Sequence, residues 1–306
     1  RIVKQETKGK KLVGVFYGYH FFSGAEAWFE CGHRAFAEVL NSPDVDFIAA
    51  PHNYRERQPG GVCLPQTVTG SIRLHGKLYY KEDDTRTSLS PKDADFGRAD
   101  TVEQSIEVLK RNFAAAITEG GTLWWMEQSP GWFSHPKIMA AIRRMQELAS
   151  QLLNRDRRRN AEIAVIVSDQ SAYHLRFSPS LIDSLICDQM VEQVTRIGAP
   201  FDTYIADDLE RLPDYKLYIF LTPFLSDKQR RTITERILGR ADVQSKPRSN
   251  SGATSSQGTS LRSAPHSKRP TVLWVYAPGF VTEKGLSVEA MSELTGMRLR
   301  TEELGG

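Results

Sequence analysis

The 306-residue chain has little net charge, three cysteines and no long apolar run, and each shortage closes off a class of function. Without a stretch of about 18 apolar residues, no helix is expected to cross a bilayer. Cys31, Cys63 and Cys187 are odd in number and share no C-x-x-C spacing, so neither a disulfide framework nor a structural zinc site is expected. Forty basic residues nearly balance 37 acidic ones, for a formal charge of +3, and no aromatic residues interleave with a basic stripe. Nucleic acid is therefore not an expected partner. The densest basic run, residues 155–159, falls between two patterned regions and reads as a solvated linker. No basic-then-apolar leader opens the sequence, and with unpaired cysteines a reducing, cytoplasmic compartment is the expectation.

The chain is long enough for two domains, and its 40% apolar composition suits ordinary globular cores. β-prone runs at residues 12–20, 45–50, 78–82 and 122–127 alternate with helical patterns, which predicts a parallel sheet over residues 1–153. One helix fits residues 24–40. Thr101 and Gln104 form a capping-box start for a second, which runs to about residue 118 and stops at Gly120-Gly121. A third spans about 135–153, with Ile138, Ile142, Met145, Leu148 and Leu152 at helical spacing. A second α/β unit is expected over residues 154–306. It begins with the continuous apolar run 163–167, typical of a strand buried on both faces. Ser178-Pro179 opens a helix to about 197, strands follow at 201–205, 217–222 and 272–276, and a helix covers 226–238, a doubly wound pattern. Residues 241–269, rich in Ser, Gly and basic residues, read as a disordered insertion.

The segment KLYYKEDDTRT at residues 77–87 is a short strand that stops in three adjacent carboxylates with an arginine behind them. In a (β/α)8 barrel the working residues lie at the C-terminal strand ends, and like charges placed side by side cost stability that a structural strand end need not bear. The other reading is a polar turn made by Asp-Asp-Thr.

Four segments carry a resemblance: VFYGYH (15–20), SPDVDFIAAP (42–51), HGKLYYKEDDTRT (75–87) and GTLWWMEQSPGWF (121–133). They look like the later strands of glycoside hydrolases related to the family 42 β-galactosidases, in which the barrel precedes a flavodoxin-like trimerisation domain similar to class I glutamine amidotransferases. Residues 163–299 resemble that second domain. The resemblance implies the C-terminal half of a (β/α)8 TIM-type barrel followed by that α/β domain. It also implies a carbohydrate substrate, no metal or organic cofactor since two carboxylates suffice, and a homo-oligomer, a trimer in the resembling family. No glutaminase chemistry is expected of the second domain, because no cysteine sits on a strand-to-helix elbow.

Counting strands back from the second domain makes the run ending in Glu127 the eighth and that ending in Glu82 the seventh. Glycosidases of this clan carry the nucleophile on strand seven and the acid/base on strand four, so the acid/base is expected upstream of Arg1. Glu82 is then the nucleophile of a retaining double displacement, with Asp83 beside it and Arg86 placed to hold the carboxylate charged or bind a sugar hydroxyl, or else to form a salt bridge with Asp83 or Asp84. Glu127 is the alternative, because MEQSPG resembles the family's nucleophile motif although its strand is eighth. Tyr19 and His20 after strand five, and His52 and Tyr54 after strand six, are candidates to line the pocket mouth. Of Trp124, Trp125 and Trp132, either Trp125 or Trp132 is the candidate sugar platform, while strand alternation requires at least one tryptophan to pack in the core. A non-catalytic carbohydrate-binding or structural relic of the same fold is the alternative function.

Overall fold

The computed structural model describes residues 1–21, 32–156, 158–174, 193–240 and 269–302. It is an α/β structure with two four-stranded sheets, both wholly parallel. The first sheet contains β1 (Gly14–Phe16), β2 (Phe47–Pro51), β3 (Leu78–Asp83) and β4 (Thr122–Trp125), side by side in chain order. The second contains β5 (Ile163–Val167), β6 (Phe201–Ile205), β7 (Leu217–Leu221) and β8 (Thr271–Trp274) in the order β6-β5-β7-β8. Beyond it lie a two-stranded hairpin, β9 (Val281–Thr282) with β10 (Gly285–Leu286), and a closing helix, Val288–Thr295, neither of which the sequence pattern suggested. The expected helix at 178–197 and insertion at 241–269 lie almost entirely outside the described residues, as do Cys31 and Cys187.

Following the first short helix, α1 (Ile2–Glu6), the connections of the first sheet are α2 (Phe36–Asn41), α3 (Thr69–Leu74) and α4 (Val102–Thr118), with α5 (Pro136–Leu152) after β4. The α4 start is the one its sequence specifies: the Thr101 hydroxyl accepts from Gln104 N at 3.1 Å, and the Gln104 side chain accepts from Asp100 N at 2.8 Å. Gly120, at φ +74°, supplies the left-handed turn that ends it. Pro136 opens α5, whose Ile138, Ile142 and Met145 are buried.

Strand alternation divides the first sheet into two unlike faces. Val15, Tyr17, Ile48, Ala50 and Tyr79 pack with Phe36, Leu40 and Ile72, while Leu123 and Trp125 pack with Leu109, Phe113 and Ile138; this face is covered by helices. On the other face stand Phe16, Phe47, Tyr80 and Trp124. Here Tyr80 and Trp124 lie 4.4 Å apart, Phe47 and Tyr80 5.7 Å, and Phe16 and Trp124 5.9 Å between ring centroids. β1 and β4 are the outer strands, three interstrand steps or about 14 Å apart along the sheet, so ring contact between Phe16 and Trp124 makes this face concave. It is also open: Phe16 is 51% and Leu78 41% exposed.

The two sheets share one apolar cluster, in which Tyr79 of the first and Ile72 of α3 join Val165, Ile205 and Ile219 of the second. Polar ties reinforce the joint. Arg73 Nη2 donates to Asp202 at 2.8 Å, Ser71 Oγ accepts from Ile205 N at 2.9 Å, and His75 pairs with Asp208 at 2.7 Å. Gly70 is required within α3, since a Cβ there would stand 2.4 Å from the Thr203 carbonyl oxygen. β5 crosses the middle of the second sheet with all five residues buried, as its unbroken apolar run demands.

Candidate functional site

The end of β3 separates three adjacent carboxylates into three different settings. Lys81 and Asp83 alternate to the helix-covered face, where Asp83 Oδ1 accepts from Thr85 Oγ1 at 2.6 Å and from Asn112 Nδ2, on α4, at 3.0 Å. Burial pushes the Asp83 carboxyl above its ordinary pKa despite these bonds and the nearby Lys81. Glu82 alternates the other way, in register with Trp124 of β4, and so belongs to the concave face. It is 9% exposed. Among the described residues its carboxylate is shaped by burial and by charge, with no hydrogen bond to hold it. Burial raises its pKa, the Asp84 charge adds to the rise, and Arg57 and Arg86 oppose it.

Asp84 is the anchor of the loop. Its side chain is fully buried and accepts from Arg57 Nη1 at 2.5 Å and from Arg86 Nη1 at 2.7 Å. Arg57 also donates to the carbonyls of Asn53 at 2.9 Å and His52 at 2.7 Å, which fixes the segment after β2 against the end of β3. Tyr54 lies beneath the Arg57 guanidinium at 4.0 Å and packs on Phe96, whose ring centroid is 4.6 Å away. Tyr19 comes from the loop after β1, and its hydroxyl pKa is raised first by burial and then by the charge of Glu82. Two tyrosines and two arginines thus gather around Glu82 and Asp84 where the strands end.

The remaining sequence candidates are placed as follows. Arg86 pairs with Asp84, not with Glu82 or Asp83, and stacks between Phe96 at 5.1 Å and Trp132 at 5.6 Å. Trp132 and Trp125 belong to the apolar cluster between α4 and α5; the tryptophan that shares a face with Glu82 is Trp124. His20 is buried with Nδ1 facing Gly18 O at 2.7 Å and Nε2 facing Asp169 Oδ1 at 2.6 Å, so it ties the first sheet to the second. His52 is also fully buried; burial, then Arg57, Lys81 and Arg111, lower its pKa well below the ordinary value, and its carbonyl rather than its ring serves the loop. Glu127 is exposed, and its carboxylate accepts from Gly131 N at 3.0 Å, bracing its own turn.

Sequence reasoning offered Asp84 as one alternative partner of Arg86 but did not single out Arg57, the second guanidinium that Asp84 anchors. Arg57 sits in an aperiodic loop and offers no pattern, whereas the choice of Trp124 over Trp125 follows from strand register, which only pairing with β3 reveals. Among the described residues, no group of three or more His, Cys, Asp or Glu is placed to hold a metal ion, and no helix is long and apolar enough to cross a membrane. In comparisons with known proteins, no family model and no curated sequence matches the chain.

Proposed function

We propose that the first sheet is the C-terminal half of a (β/α)8 glycoside hydrolase barrel in which Glu82 is the nucleophile of a retaining reaction on a carbohydrate. The observation that carries this reading is the concave aromatic face, bare of helices among the described residues, that ends, at the C-terminal edge of β3, in a buried carboxylate with no hydrogen bond among those residues. Parallel sheets are ordinarily covered on both faces. A curved parallel sheet with helices on its convex side alone has the form of half a barrel, and working residues belong at its C-terminal strand ends. Asp84, committed to two guanidinium groups, supports the site without being free to act as an acid. Glu82 is unbraced, and a nucleophile must leave its resting contacts to bond with an anomeric carbon. The second carboxyl of a retaining pair, about 5–5.5 Å from the nucleophile, comes from the other half of the barrel. The second sheet, with its strands in the relative order 2-1-3-4, fits the flavodoxin-like arrangement. We assign it the role of scaffold and assembly surface, as in the trimerisation domains that residues 163–299 resemble.

The test is turnover of aryl glycosides by the full-length polypeptide its gene encodes, compared with that of the 306-residue chain. The chain alone, without leaving-group protonation worth about 10²- to 10⁴-fold, is expected to be nearly inactive. In the full-length protein Glu82→Gln should abolish hydrolysis and Glu127→Gln should leave most of it. The reverse ranking would move the nucleophile to Glu127. Indifference to both substitutions, with sugar binding retained, would establish a binding relic.

A further inference from the structure

A cavity lies on the other side of the first sheet from Glu82, at the joint with the second sheet. Its volume is about 560 Å3, within the range of small-molecule sites. Apolar side chains from both units wall it, among them Leu64, Ile117 and Phe201, and Cys63, Glu119 and Thr203 contribute polar groups. The joint that forms it is firmly built: Arg159 pairs with Asp202 at 2.6 Å and donates to the Thr118 carbonyl at 2.8 Å, and α3 packs directly on β6.

Among the described residues, two buried side-chain atoms in this wall have no hydrogen-bond partner. They are Thr203 Oγ1, in a side chain only 4% exposed, and Glu119 Oε2. Leaving such groups unpaired is unfavourable, and one side-chain rotation turns either toward a guest. The charges around the cavity narrow the guest's chemistry. Arg159 is committed to Asp202, and Arg158 to Asp156 at 2.7 Å, so neither cation is free for an anionic ligand. Lys81, Arg159 and Arg73 all act on Glu119, which disfavours a cationic one. A hydroxyl group, able to donate to a carboxyl and accept from a threonine, suits the pair that remains.

We propose that this cavity binds a neutral molecule with an apolar body and a hydroxyl group, the hydroxyl donating to Glu119 and accepting from Thr203. The site is separate from Glu82, which belongs to the opposite face of the sheet.

The probe is benzyl alcohol, with toluene as the counterpart that lacks the hydroxyl, titrated into the 306-residue chain and followed by calorimetry and by N-ethylmaleimide labelling of Cys63. Saturable binding of benzyl alcohol that slows alkylation of Cys63 is expected, with toluene binding at least about fivefold more weakly, the worth of one hydrogen bond. Thr203→Val should weaken benzyl alcohol by a similar factor. Glu119→Ala, at a partly exposed helix end, provides the same comparison if the strand variant does not fold. No saturable binding, equal binding of toluene, binding that leaves Cys63 labelling unchanged, or binding indifferent to the folded variants would each overturn the proposal.

Discussion

Replacing Asp84 and Glu82 in turn separates a carboxylate that holds the fold from one that the fold merely tolerates. Asp84 is buried between Arg57 and Arg86, themselves 3% and 4% exposed. Asp84→Asn removes the charge that the two desolvated guanidinium groups share, leaving Arg86 the exposed Asp95 at 3.5 Å, and breaking a buried pair in this way costs about 3–5 kcal/mol. At roughly 2–4 °C per kcal/mol for a chain unit of this size, the melting temperature should fall by about 6–20 °C. Glu82→Gln should behave differently. Glu82 has no hydrogen bond to lose, and its raised pKa means that the ionised carboxylate destabilises the fold at neutral pH. The uncharged isostere should therefore be neutral, or stabilising by no more than about 1 kcal/mol. Thermal melts followed by circular dichroism, supported by urea titrations, give both values on the same chain. Equal destabilisation by the two substitutions would show that Glu82 is a structural member of the Arg57 and Arg86 cluster, and the reasoning that assigns it a chemical role would fail.

Two further outcomes test the joint and the open face. Burial raises the pKa of Glu119 to about 7, against Lys81, Arg159 and Arg73. Because the folded value is the higher one, protonation stabilises the fold: this contribution is complete below about pH 4.5 and is lost as the pH rises through 7. Glu119→Gln should thus be more stable than the parent chain at pH 8, by about 1–3 kcal/mol after allowance for partial solvent contact, with no gain at pH 4. A constant difference across that range, measured by denaturant titration, would contradict the assignment. The concave face, with Phe16 and Leu78 exposed beside the outer edges of β1 and β4, which pair with no strand among the described residues, should bind anilinonaphthalene sulfonate and drive self-association at micromolar concentration. Phe16→Ser with Leu78→Thr should reduce both signals, and a monodisperse, dye-silent parent chain would remove the need for a missing layer.

Much of this architecture is legible in the sequence because the relevant signals are local. β5 announces itself by an unbroken apolar run, α4 by its Thr101 cap and Gly120 stop, and β3 by five β-prone residues ending in acid. What escaped depends on contacts between distant segments. α3 contains Gly70 and the β-branched Thr69 and Ile72, poor helix formers, and is held by packing on β6 rather than by propensity. His20 resembles a pocket residue until Asp169, far along the chain, claims its ring. Asp83 and Glu82 are adjacent in sequence yet face opposite layers, an assignment that alternation supplies only once the helix-bearing face is known.

In the proposed reaction Glu82 attacks the anomeric carbon of a sugar. The most direct measurement is covalent trapping: the full-length polypeptide its gene encodes is treated with 2-deoxy-2-fluoroglycosyl fluorides, which form a slowly hydrolysed glycosyl-enzyme with a retaining nucleophile, and the labelled peptide is identified by mass spectrometry. The expected result is a single fluoroglycosyl ester on Glu82, absent from Glu82→Gln. A label on Glu127, or hydrolysis that proceeds with no carboxylate trapped, would contradict the claim.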